Sequence, residues 1–148
     1  VGRSVHEEWV DRLGLSVGLG VRLEDGGSVN KIEEHYAWDL EIQKREGKIL
    51  DWHFEQVKLQ LNRKQPGAVA VLYIPDFFVV LADGSVRIDE LKGGFVREDA
   101  DLKFKLAAEL FPYFEWRMIQ IKKGERKILR HIPRRLQGGP GFSRKEGR

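Results

Sequence analysis

The chain holds no cysteine, one methionine and two asparagines in 148 residues, and each scarcity removes something. Without cysteine there is no disulfide framework, CxxC zinc site, iron–sulfur cluster or thiol nucleophile, so metal chemistry must use carboxylates or imidazoles. His6, His35, His53 and His131 show neither HxxxH nor HExxH spacing, which leaves the acids. No run of about 18 apolar residues and no basic-then-apolar leader is found, so the expectation is a soluble cytoplasmic protein with no membrane partner. Gly18-Leu19-Gly20 lacks the third glycine of a dinucleotide loop, and no GxSxG elbow occurs. Neither a nucleotide cofactor nor a serine hydrolase is expected. Scarce Asn, Met and Cys beside 33% charged residues fit a thermophilic protein.

What is present suits one domain of ordinary globular composition, 41% hydrophobic. Residues 122–148 carry ten Lys or Arg against Glu125 and Glu146, a charge of +8, while the rest of the chain is −5. A basic segment on an acidic body suits a polyanionic partner. It equally suits a solvated tail.

The elements are read from periodicity and breakers. Residues 29–46 form the clearest helix, with Asn30 and Glu33 as a capping box and Gly47 as its stop. Residues 53–61 alternate, with Val57, Leu59 and Leu61 on one side, as in a half-buried strand. Arg63 and Lys64 lie in the following turn. Strands are expected at 69–74, 77–81, 86–91 and 116–121, with a hairpin turn at 82–85. A second helix spans 97–111, its stripe formed by Leu102, Leu106 and Leu110. This order gives a mixed α/β (α+β) fold, a central sheet flanked by helices. Residues 1–28 read as an N-terminal extension containing a short helix at 4–15, and 122–148 as a basic segment with a disordered end.

Asp76 closes one apolar strand and Glu90 sits near the end of the next. A tight hairpin brings them close, and Lys92 shares a face with Glu90. Two carboxylates and an ammonium at a sheet edge suit phosphodiester hydrolysis assisted by Mg²⁺ or Mn²⁺. The lysine would orient or deprotonate the attacking water. A turn aspartate beside an exposed Glu–Lys pair is the alternative.

Ile74-Pro75-Asp76-Phe77, followed by Asp89-Glu90-Leu91-Lys92-Gly93, resembles the PD-(D/E)xK nuclease superfamily. The fuller pattern, with Asn30-Lys31-Ile32-Glu33, Phe54-Glu55 and the helix from Phe104 to Pro112, is similar to phage and archaeal-type Holliday junction resolvases. The likeness covers residues 29–121 and implies a restriction-endonuclease-like sheet. It also implies a further metal-binding acid on the first helix. Helical phase selects Glu33, on the inward stripe, over Glu34, toward solvent. Capping is Glu33's other possible role.

By the same resemblance Glu33, Asp76, Glu90 and the Leu91 carbonyl hold Mg²⁺, or Mn²⁺ in its place, and Lys92 positions the water. Lys103 either turns toward the site or snorkels, and Lys105 faces the surface or DNA. Arg63 and Lys64, together with Lys122, Lys123, Arg126, Lys127 and Arg130, are expected to hold phosphates. The implied protein is a homodimer that nicks a four-way DNA junction symmetrically. Trp38, Ile42 and Phe77 are candidates for its interface. Repair- or restriction-type nucleases share the motif, and a non-catalytic DNA-binding module is the reading from another class.

Overall fold

The computed structural model describes residues 31–63 and 65–135. Helix α1 (Lys31–Arg45) buries Tyr36, Ala37, Leu40 and Glu41 along one face. Its first turn is acidic and its last turn basic, which complements the helix dipole. Gly47, at φ 75°, closes it: Lys48 N–H reaches Gln43 O at 2.9 Å and Gly47 N–H reaches Lys44 O at 3.1 Å. This is a Schellman stop, and the left-handed φ is what makes glycine suit the position. The buried Glu41 accepts Trp52 Nε1–H at 2.8 Å.

Strands β1 (Ile49–Phe54), β4 (Phe77–Leu81), β5 (Val86–Lys92), β6 (Glu115–Lys122) and β7 (Glu125–Ile132) form one sheet in the order β1-β4-β5-β6-β7. Every neighbouring pair is antiparallel except β5–β6. The parallel pair needs a crossover, supplied by helix α2 (Glu98–Leu110). Two-residue strands β2 (Leu59–Gln60) and β3 (Leu72–Tyr73) form a separate ribbon.

Strand alternation feeds two cores. On the α1 side Tyr36, Ala37 and Leu40 pack with Trp52, Phe54, Phe77, Val79, Leu91 and Ile119. On the α2 side Phe104, Ala107 and Ala108 pack with Leu59, Tyr73, Ile88, Trp116 and Met118. The molecule is thus an α+β structure with one helix on each face of a five-stranded mixed sheet. No helix among the described residues is long and apolar enough to cross a membrane.

Several expectations change. The strand expected at 53–61 begins earlier, at Ile49, and breaks at Glu55, whose φ is 48°. Of 69–74, only Leu72–Tyr73 pairs. The basic segment contains β7, which joins β6 through Lys123 (φ 48°) and Gly124 (φ 79°). Two successive positive φ values suit a tight hairpin, so this stretch is part of the sheet and not an appended tail. Leu102, Leu106 and Leu110 are 69%, 44% and 44% exposed, because the smaller Ala107 and Ala108 with Phe104 allow α2 to approach the sheet on another face. Asn30, Lys64, residues 1–28 and the segment from 136 on lie outside the described residues.

Phe77 is no interface residue: fully buried, its ring lies 5.1 Å from Tyr36, 5.1 Å from Phe54 and 6.1 Å from Trp52. Phe77→Ala should cost about 3–5 kcal/mol, the transfer loss plus a cavity. Urea denaturation should show that loss unchanged across protein concentrations. A loss that vanishes on dilution would instead assign the ring to a subunit contact.

Candidate active site

The β4–β5 hairpin begins the assembly. Its register sets Phe77 opposite Asp89, so Asp76, just before β4, meets Glu90 across the hairpin. Leu91 N–H donates to Asp76 Oδ2 at 2.7 Å, and Asp76 N–H lies 3.3 Å from Glu90 Oε2. Lys92 follows Glu90 by two residues and shares its face; its Nζ is 3.4 Å from Glu90 Oε1. Tyr73 OH donates to Glu90 Oε2 at 2.8 Å. Both Glu90 oxygens are therefore oriented by donors.

Two more carboxylates arrive from neighbouring elements. Glu33 comes from the first turn of α1. Glu55 follows β1, where its left-handed backbone is pinned by an N–H donated to Asp76 O at 3.0 Å. One oxygen each of Glu33, Glu55 and Asp76 lies within 4.8 Å of the other two. The sequence reading named Glu33 and Asp76 but missed Glu55. The available signal was its phase: on the expected strand Glu55 shares the inward side with Val57, Leu59 and Leu61. Glu33 and Glu34 are both half-buried, and the cluster includes Glu33. Of the four expected ligands, Glu33 and Asp76 come together directly. Glu90 stands beside them, engaged with Tyr73 and Lys92, and Leu91 meets Asp76 through its N–H.

Crowding these acids has an electrostatic consequence. Burial, and then the charge of Glu90, push the Asp76 carboxyl up to about 8, with Glu33 adding and the Leu91 N–H and Lys92 opposing. Partial shielding and Glu90 also raise Glu55. Burial, then the charge and hydrogen bond of Glu90, hold the Tyr73 hydroxyl protonated and so able to donate.

The expected phosphate contacts divide. Lys103, though exposed, lines a groove of about 310 Å³ with Glu90, Lys92, Leu72, Tyr73, Ile74 and Ala100, so it stands near the site. Lys105 instead pairs with Asp101 at 2.8 Å, and Arg130 pairs with the same carboxylate at 3.3 Å. Arg126 pairs with Asp39 and lies 5.1 Å over the Tyr36 ring. Arg63, Lys122, Lys123 and Lys127 are exposed.

A second polar cluster, also missed, lies on the α1 face. Asp89 is fully buried and accepts from Tyr36 OH at 2.7 Å, Arg117 Nε at 2.8 Å and Arg87 Nη2 at 2.9 Å. Burial would raise its carboxyl, but the hydrogen bonds and charges of Arg117 and Arg87 prevail and hold it low.

No family model matches this chain, and comparison with curated proteins and with solved structures likewise finds no match.

The Asp76 shift has a definite sign. With a folded value near 8 against an ordinary 3.8, the folded protein binds a proton that the unfolded chain releases, so stability falls as pH rises from about 4 through 8. Asp76→Asn removes this titration while its amide oxygen can still accept the Leu91 N–H. Thermal melts in chelator should show the variant gaining on the parent as pH rises from 5 to 9. A gap independent of pH would refute the shift.

Proposed function

We propose that this chain is a metal-dependent DNA endonuclease of the PD-(D/E)xK type, acting on four-way junctions as a homodimer in the cytoplasm. The observation that carries the reading is the hairpin register that joins Asp76 to Glu90, Leu91 and Lys92 at one end of the two central strands β4 and β5. Glu33 arrives there from α1. A mixed sheet with a helix on each face is consistent with the restriction-endonuclease-like scaffold implied by the sequence resemblance.

The acids suit a hard divalent ion. Ligand distances of about 2.1 Å put opposite oxygens of an Mg²⁺ octahedron about 4.2 Å apart, and oxygens within 4.8 Å need little rotamer adjustment to meet that. Glu33, Glu55 and Asp76 would hold the ion, with Glu90 and the Leu91 carbonyl completing the set that the resemblance implies. Bound there, Mg²⁺ or Mn²⁺ would polarise the scissile phosphate and favour ionisation of a water.

Lys92, kept in place by Glu90, would orient that water as its oxygen bonds to phosphorus and the P–O bond to the leaving strand breaks. Lys103 would meet a neighbouring phosphate in the groove. Arg63 and Lys64, with Lys122, Lys123 and Lys127, would hold the backbone without reading bases. Arg126, Arg130 and Lys105, expected in the same role, already pair with Asp39 and Asp101 and would have to exchange those carboxylates for phosphate. Two symmetry-related sites would make the paired nicks.

The test is cleavage of a labelled four-way junction and a linear duplex of the same sequence, with and without Mg²⁺. Paired nicks confined to the junction, lost in Glu90→Gln and Asp76→Asn, are expected. Equal cutting of both substrates would make the protein a repair- or restriction-type nuclease. Metal-independent binding without cutting would make it a DNA-binding module.

A second expectation isolates Glu55. Titration with Mn²⁺ alone, followed by calorimetry, should show at least about tenfold weaker binding in Glu55→Gln. Unchanged affinity would remove Glu55 from the ligand set.

A further inference from the structure

Phe95 is 88% exposed, so its ring makes little contact with the described protein. It lies three residues after Lys92, in the segment that links β5 to α2. Both elements line the groove beside the site, with Glu90 and Lys92 from one and Ala100 and Lys103 from the other. Phe95 thus stands on the short connection between two elements that bring two ammonium groups to one groove.

The loop that carries it is anchored. Gln120 Nε2 donates to Gly94 O at 2.9 Å. Gly93 packs so closely on α1 that a Cβ there would come within 3.1 Å of Ile32 Cδ1. An exposed ring on a tethered loop loses little freedom when it meets a ligand.

The chemistry of the groove suggests the ligand. Lys92 and Lys103 suit phosphates, while Leu72 and Ile74, 38% and 44% exposed, add apolar surface. A nucleotide strand presents just this pairing, a charged backbone beside flat base faces. Three residues span at most about 11 Å, and bases rise about 3.4 Å per step along a strand. The backbone of Phe95 therefore lies within about three base steps of the backbone of Lys92, close enough for its ring to meet a base of a strand whose phosphate contacts Lys103 in the groove.

We propose that Phe95 stacks on a nucleobase exposed at the branch point and so gives the site its preference for branched over linear DNA. In continuous duplex both faces of a base are covered by its neighbours, and stacking would first require unstacking. At a branch an open base face is available without that cost. The inference rests on the nuclease reading above and names the feature of the substrate that the site recognises.

The experiment compares the full chain with Phe95→Ala and Phe95→Trp in Mg²⁺-dependent cutting of a four-way junction and a linear duplex. Because the ring is exposed, neither substitution should shift the melting temperature by more than a degree or two. Phe95→Ala should lower the junction-to-duplex ratio about tenfold with duplex cutting unchanged, and Phe95→Trp should restore it.

In the Asp76→Asn background, 2-aminopurine at the branch should change fluorescence on binding when Phe or Trp occupies position 95 but not Ala. Equal ratios and equal fluorescence for Phe and Ala would overturn the proposal while leaving the nuclease intact. So would a Phe95→Ala effect confined to oligomeric state in size-exclusion chromatography, which would place the ring at a protein contact. Absence of Mg²⁺-dependent cutting by the parent chain would overturn the nuclease reading, and this inference with it.

Discussion

Asp89 is the constraint on which the rest depends. A carboxylate with no exposed surface costs several kcal/mol unless it is paired, and this one is gripped by Arg87 from its own strand, Arg117 from β6 and Tyr36 from α1. Arg117 also donates to Tyr36 OH at 3.1 Å, which closes the network. Its effect is positional. Tyr36 lies one turn from Glu33 on α1, Asp89 is next to Glu90 on β5, and the Phe77 ring that packs on Tyr36 follows Asp76. Holding Asp89 therefore sets the helix that carries one acid against the hairpin that carries two others.

Adjacent residues meet opposite fates because a strand alternates. Asp89 turns to the α1 face and finds two guanidinium groups, while Glu90 turns to the α2 face and finds one lysine and a tyrosine hydroxyl. Burial opposes ionisation of both Asp89 and Asp76. Arginines overcome it at Asp89, whereas at Asp76 more carboxylates reinforce it. The first cluster is complete within the protein and stabilises the fold. The second crowds like charges together, so an added cation would relieve repulsion there that the protein's own donors leave in place.

The sequence revealed what is local and periodic. The α1 stripe through Tyr36, Ala37 and Leu40, the Asp83-Gly84 turn and the hairpin meeting of Asp76 with Glu90 all follow from repeat lengths of 3.6 and 2. Departures arose where tertiary contact overrode pattern. Leucines at 102, 106 and 110 define a tidy helical stripe, but alanines permit closer packing, so the burying face of α2 is the one with Phe104, Ala107 and Ala108. Glu55 had a signal in its strand phase, but the left-handed turn that brings it to Asp76 is a backbone feature no alternation encodes. Arg87 stands two residues from Asp89 on the same strand face, but the other partners of Asp89 lie 28 and 53 residues away, and no local spacing announces those.

The basic C-terminal segment shows what charge counting leaves out when topology is unknown. Read as a tail, every cation in it is available to a polyanion. As a hairpin, β6 and β7 place Arg126 against Asp39 of α1 and Arg130 against Asp101 of α2, so these arginines tie the last strand to both helices. Each exposed pair adds little stability by itself, yet each fixes one side of the strand to a different layer. Among the described residues, Lys122, Lys123 and Lys127 lie exposed toward the turn end of the hairpin, and Arg134 and Arg135 lie exposed just beyond the far end of β7. Internal pairing of Arg126 and Arg130 thus divides the described cations between the two ends of β7, and the placement of the strand in the sheet fixes where each group of charges stands.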